Sequence, residues 1–265
     1  MKCFAKEKIV INKDYSLIED FLYSLPQTFY DEGGETIYQD RNTIKVFTTN
    51  GINLNVKSFK KPHFINQFVY ATLRKSKAER SYTYATKLKE LGVNTPTPIA
   101  YIEYGNKLLF KDSMYVSEQI EVDGEIRVLN KGSLEEHKQL IIAFAYFTAQ
   151  MHNLGIMHLD YSPGNILFKK EDDKFNFYLV DLNRMKFDQT ITDKTAAYSF
   201  RRLSGSDEMI DFFTREYAKA RGLDTDSCVK EVFKYRFQKS DDNETSTEDL
   251  IKSVEERCGK VPEFF

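Results

Sequence analysis

The segment HLDYSPGN, residues 158–165, sets a carboxylate, Asp160, and a carboxamide, Asn165, on either side of a Pro-Gly turn. A carboxylate so placed can orient a hydroxyl and receive its proton. A carboxamide oxygen from the same loop can hold a magnesium ion on phosphates. A second metal ligand is expected at the end of the following strand, where FYLVDLN delivers Asp181. Holding the α- and β-phosphates calls for a lysine on an apolar strand, and NVKSF supplies Lys57 between Val56 and Phe59. That lysine needs a glutamate on the next helix to fix it. Glu79 in SKAERSY is the expected partner, with Glu90 at the helix end as the alternative. Taken together, these groups can carry transfer of a phosphoryl group from ATP to a hydroxyl, with Mg2+ as cofactor.

Each side chain also has a plainer reading. Lys57 reads as an edge-strand surface lysine, and Glu79 as a solvated helix glutamate. His158 reads as a brace for the loop rather than a proton carrier, and His152 and His63 as surface or packing residues.

The elements that must position these groups can be read from periodicity. ETIYQ, TIKVFTT and INLNVKSF are short runs rich in β-branched and aromatic residues. DRN separates the first two and Asn50-Gly51 the last two, the latter a strong hairpin signal. A helix is expected from Ser76 to a stop at Leu91-Gly92. PIAYIEY, KLLF and MYVSEQI read as further strands, which gives a five-stranded sheet with one inserted helix. LEEHKQLIIAFAYFTAQMHNLG then reads as a long helix with Leu140, Phe144, Phe147 and Met151 on one face and Gly155 as its stop. Past Asp181 the chain reads as helical in SDEMIDFFTREYAKARGL, CVKEVFKYRF and STEDLIKSVEERCG, with the polar tract KSDDNETSTED as a loop.

Composition sets the outer bounds. The 265 residues, 41% hydrophobic and 29% charged, suit one large domain or two coupled lobes with a real core. A net charge of −2 gives no case for nucleic acid. Cys3, Cys228 and Cys258 lack metal or disulfide spacing, which fits reduced thiols and a cytoplasmic location. MKCFAKEKIV lacks a signal-peptide core, and no apolar run reaches the length of a membrane span. Lys57, Lys60, Lys61, Arg74, Lys75, Lys77 and Arg80 gather against the single acid Glu79. Such a patch could contact anionic lipid headgroups at the inner membrane or a phosphorylated core sugar, or could simply be a solvated face.

HLDYSPGNILF matches the H-x-D-x-x-x-x-N catalytic-loop pattern of phosphotransferases with the protein-kinase-like fold. With RNTIKVF, NLNVKSFKKP, the AER helix leading to LGVNTPTPIAY, and VDLNR, the chain resembles the lipopolysaccharide kinase (Kdo/WaaP-like) family over roughly residues 40–190. The resemblance implies an α+β, two-lobed kinase-like fold: a small antiparallel β-sheet lobe with one helix over residues 1–117, and a mainly helical lobe over 118–265. Lys57 and Glu79 match the nucleotide-positioning pair, Asp160 the catalytic aspartate, and Asn165 and Asp181 the metal ligands. Backbone around Glu118 and Ile120, in the linker from Ser117 to Glu121, is expected to pair with adenine.

The implied activity is ATP-dependent phosphorylation of a sugar hydroxyl, Kdo or heptose, in the lipopolysaccharide inner core. Two departures stand out. The turn QDRNT has no glycine, so Arg41, Asn42 or nearby amides must cover the phosphates; and Asp181-Leu182-Asn183 stands where protein kinases carry Asp-Phe-Gly. No Ala-Pro-Glu sequence follows, which disfavours a peptide acceptor. The other readings are an aminoglycoside- or choline-type phosphotransferase, a RIO-like protein kinase, and a non-catalytic nucleotide-binding pseudokinase.

Overall fold

The computed structural model describes residues 6–31, 33–59, 75–105 and 112–237. The chain divides into two compact units: Met1–Glu121 with Val180–Asn183, and Val122–Leu179 with Arg184–Phe265.

The first unit is built on an antiparallel six-stranded sheet. Its strands are β1 (Lys6–Ile11), β2 (Glu35–Gln39), β3 (Asn42–Thr49), β4 (Ile52–Phe59), β5 (Pro98–Gly105) and β6 (Asp112–Glu118), in the order β1-β5-β6-β4-β3-β2. The β3–β4 hairpin turns on Asn50 and Gly51, with φ of 47° and 76°. Two positive φ angles in succession give the turn whose twist matches its flanking strands. Pairing then runs unbroken from Thr49 opposite Ile52 to Asn42 opposite Phe59.

Two helices accompany the sheet, α1 (Glu19–Thr28) and α2 (Lys77–Glu90). Ser76 caps α2 by accepting the Glu79 N–H at 3.0 Å. At the other end Gly92 takes φ 75°. Its N–H reaches the Lys89 carbonyl at 3.1 Å and that of Val93 the Leu88 carbonyl at 2.9 Å, so the last carbonyls are satisfied.

Strand β1 and helix α1 are corrections to the expected five strands and one helix. KEKIVI pairs with β5 from Lys6 opposite Gly105 to Ile11 opposite Ala100. The α1 signal was present: Ile18, Leu22, Leu25 and Phe29 recur at helical spacing, and all are buried with Leu54, Val56, Ile102 and Val116. Pro26 lies inside the helix and masks that period. KLLF, KSDDNETSTED and STEDLIKSVEERCG lie outside the described residues, as do His63, Cys3 and Cys258.

The second unit is mainly helical. Helix α3 (Leu134–Asn153) opens on a reciprocal Ser133–Glu136 cap. It stops at Gly155, φ 68°. A Cβ there would lie 2.9 Å from the Gln189 carbonyl oxygen. Leu140, Phe144 and Met151 are buried as expected, Phe147 only partly, and the buried face also takes in Thr148 and His152. Strands β7 (Gly124–Glu125), β9 (Ile166–Glu171) and β10 (Lys174–Leu179) form one small sheet, and β8 (Met157–His158) pairs with β11 (Met185–Lys186). Helices α4 (Asp193–Phe200), α5 (Asp207–Arg221) and α6 (Thr225–Phe237) follow. Phe144 is central to the packing, 4.9 Å from Phe213, 5.7 Å from Phe177 and 6.0 Å from Tyr161 between ring centroids. No helix among the described residues is long and apolar enough to cross a membrane.

Candidate active site

In the second unit the loop from 158 to 165 runs between β8 and β9, and three contacts hold it. His158 is buried, and its Nδ1 accepts the Asp160 backbone N–H at 3.1 Å. The imidazole therefore braces the loop through a backbone contact. Tyr161 is buried and hydrogen-bonds the Thr148 hydroxyl on α3 at 2.8 Å. The Leu159 N–H donates to the Arg184 carbonyl at 2.9 Å, beside β11.

Within the loop, Pro163–Asn165 form one tight helical turn. Asn165 Nδ2 donates to the backbone carbonyl of Asp160 at 2.9 Å. That bond locks the carboxamide against the aspartate and directs its Oδ1 the other way, as a metal ligand requires. The Asp160 carboxylate receives the Arg202 guanidinium through Oδ1. Arg202 stands just past α4, a helix and a residue to which neither periodicity nor motif spacing pointed.

In the first unit, Lys57 lies on β4 and Asp181 on the returning segment Val180–Asn183. Lys57 Nζ is 2.7 Å from Asp181 Oδ1. Asn183 Nδ2 donates to the same oxygen at 2.6 Å. Asp181 holds φ at 56°, a left-handed conformation that aspartate tolerates better than most residues. Asn183 is a partner of Asp181 to which motif spacing assigned no role.

Glu79 takes different partners from the one expected. Its carboxylate meets Lys8 at 3.7 Å and Lys75 at 3.5 Å, while Lys57 meets Asp181. Lys8 arrives on β1, the unforeseen strand, and Lys75 lies one turn before Glu79. The basic cluster is also engaged internally where it is described: Lys57 pairs with Asp181, Lys75 with Glu79, and Lys77 Nζ lies 5.9 Å from the Phe59 ring centroid. Lys60, Lys61 and Arg74 lie outside the described residues.

At the expected linker, the Glu118 N–H donates to the Thr97 carbonyl at 2.9 Å. Its side chain accepts the Tyr15 hydroxyl at 2.6 Å, and burial and that carboxylate raise the Tyr15 pKa. Gln119 Nε2 reaches the Ile120 carbonyl at 3.2 Å. Arg41 and Asn42 sit at the β2–β3 turn, Arg41 exposed, where the Asp40 N–H closes on the Asn42 carbonyl at 3.0 Å.

Asp181 in the first unit offers a carboxylate oxygen and Asn165 in the second a carboxamide oxygen, both hard donors of the kind magnesium takes. Magnesium keeps few protein ligands and completes its shell with phosphate and water.

A search of curated proteins finds no significant match. Among solved structures, one described as WaaP in complex with acyl carrier protein is similar, with a TM-score of 0.58 and 16% identity. The match covers 86% of this chain and 94% of that one, and it shows the two-lobed kinase-like fold. Residues 38–221 match the sequence model of the lipopolysaccharide kinase (Kdo/WaaP) family. The chain therefore belongs to the lipopolysaccharide kinase (Kdo/WaaP) family.

Proposed function

We propose that the protein transfers the γ-phosphate of ATP, with Mg2+, to a hydroxyl of a lipopolysaccharide inner-core sugar, Kdo or heptose. The observation that carries this reading is the Asn165 Nδ2 bond to the Asp160 backbone carbonyl, which holds the carboxamide residue against the aspartate across one tight turn. Asp160 orients the acceptor hydroxyl and takes its proton. Asn165 and Asp181 would each offer an oxygen to the metal, which when bound would supply charge neutralisation for the transferring phosphoryl group. Lys57, now on Asp181, holds the α- and β-phosphates. Because the Glu118 N–H is engaged by Thr97, adenine pairing falls to the Glu118 carbonyl and the Ile120 N–H. Arg41 and Asn42 cover the phosphates in place of a glycine-rich turn. Catalysis of this kind rests on positioning, so the bracing by His158 and Tyr161 matters as much as the reacting groups.

The test is magnesium-dependent transfer of labelled γ-phosphate to Kdo- and heptose-containing core sugars, with aminoglycosides in the same screen. Asp160→Ala should lose roughly a hundredfold or more in turnover and keep the wild-type unfolding midpoint. Undiminished transfer by that variant rejects the role of Asp160. Phosphorylation of an aminoglycoside but of no core sugar rejects the proposed acceptor.

A further inference from the structure

The loop from 158 to 165 contains no lysine or arginine. Its aspartate nonetheless carries a cation, Arg202, brought from beyond α4. The base of that arginine is anchored. The neighbouring Arg201 guanidinium carbon lies 3.7 Å from the centroid of the buried Tyr198 ring, and its Nη1 donates to the Tyr198 carbonyl at 2.7 Å. Ala196, Ala197 and Phe200 bury the inner side of α4. Arg202 itself stays open: its side chain is 47% exposed and that of Asp160 is 25% exposed.

An ion pair this exposed contributes about 0–1 kcal/mol to stability, so folding gives little reason for it. Its position gives another. A guanidinium has five donors in a planar fork suited to carboxylate or phosphate, and the only hydrogen bond found for Arg202 among the described residues uses one of them. The acceptor hydroxyl must approach the same carboxylate that Arg202 now holds.

We infer that Arg202 recognises a negatively charged group on the acceptor: the guanidinium exchanges the Asp160 carboxylate for a carboxylate or phosphate of the incoming sugar, leaving Asp160 free to take the hydroxyl. The inference rests on the reading of Asp160 as the group that receives the acceptor proton. It makes Arg202 a specificity-determining residue, and an uncharged acceptor a poor substrate.

The experiment compares Kdo with its methyl ester, and heptose 7-phosphate with heptose, as acceptors for wild type, Arg202→Lys and Arg202→Gln. Wild type should prefer the charged member of one pair by about 10- to 100-fold in kcat/KM, the size of a charge-assisted contact. The pair that shows the preference identifies carboxylate or phosphate. Arg202→Gln should abolish it by raising the acceptor KM while the KM for ATP stays fixed. Arg202→Lys should restore part of it, and added guanidinium ion should partly rescue Arg202→Ala. A preference that survives in Arg202→Gln, or equal losses on charged and neutral acceptors, overturns the inference. Phosphorylation without any charge preference in wild type overturns it too, and leaves the phosphotransferase reading intact. Failure to phosphorylate any of the four sugars counts against both.

Discussion

Asp181 combines two demands in one residue, a carboxylate for Lys57 and a backbone at φ 56°. The two can be separated by substitution. Asparagine also tolerates the left-handed region, whereas alanine pays a steric cost of about 1 kcal/mol there. Both changes leave Lys57, only 15% exposed, without its carboxylate. Asp181→Ala should therefore unfold at lower denaturant than Asp181→Asn by about 1 kcal/mol, and both should lose phosphoryl transfer. Equal stabilities in denaturant titration would show that the backbone conformation relaxes freely. Cys228 offers a contrast of a different kind. It is buried, and burial raises its thiol to about 11, which disfavours the reactive thiolate.

Among the elements, the approach to β2 shows how tertiary contacts constrain one backbone position. Lys45 on β3 donates to the carbonyls of Phe29 at 2.8 Å, Gly33 at 3.1 Å and Asp31 at 3.3 Å, closing the end of α1 with a cation. Gly34 follows at φ 75°, and a Cβ there would sit 2.7 Å from the Phe47 ring. Gly51 has φ 76° with nothing within 4 Å of a Cβ. Gly51→Ala should cost about 1 kcal/mol for the backbone alone. Gly34→Ala should cost about 2–4 kcal/mol, since overpacking adds to it. Equal shifts in the two unfolding curves would remove the packing component.

Helix α3 carries a second internal device. Arg221 Nη1 donates to the Tyr217 hydroxyl at 2.8 Å, which leaves the hydroxyl proton for His152 Nδ1 at 2.8 Å. Burial, and then the Arg221 charge, lower the His152 pKa from 6.5 to about 3. Between those values the unfolded chain binds a proton that the folded chain does not. The contribution is therefore full above pH 6.5 and is lost as the pH falls towards 3. Wild type should lose on the order of a few kcal/mol more than His152→Gln between about pH 7 and pH 4. Parallel pH profiles of the unfolding free energy would reject the assignment.

For the whole molecule, the glycine-free turn at Arg41 and Asn42 makes nucleotide affinity the property to measure first. A ligand that binds only the folded chain stabilises it by about 2.7 kcal/mol at a hundred times its Kd. For a chain of this length that corresponds to a rise of roughly 5–10 °C in unfolding temperature. Mg-ATP should produce such a rise, and Lys57→Ala should reduce it. No rise at millimolar Mg-ATP would count against nucleotide use altogether. A rise without transfer to any acceptor would favour the pseudokinase reading. Because the chain folds as two compact units, the nucleotide-linked shift is best followed by probes in each.

Local chemistry made much of this protein legible. Asn50-Gly51 dictated its hairpin because only residues that tolerate positive φ close that turn. Gly92 and Gly155 dictated helix ends for the same reason, and residue order around HLDYSPGN singled out Asp160, Asn165 and Asp181 as the residues proposed for catalysis and metal binding. The distant partners of those groups were not legible. Lys75 one turn before Glu79 and Asn183 two residues past Asp181 are local pairings that residue spacing could have suggested. Arg202 on Asp160 and Lys8 on Glu79 depend on where strands and helices land. Such long-range ion pairs carry no sequence period, so the chain order cannot rank one distant lysine or arginine above another. Strand β1 and helix α4 bring Lys8 and Arg202 to their carboxylates, and their apolar signals were too short or too mixed to announce them. The sequence determined which residue types could perform the reaction; tertiary packing decided which opposite charge each of them meets, because charge pairing is set by distance in space and not by distance along the chain.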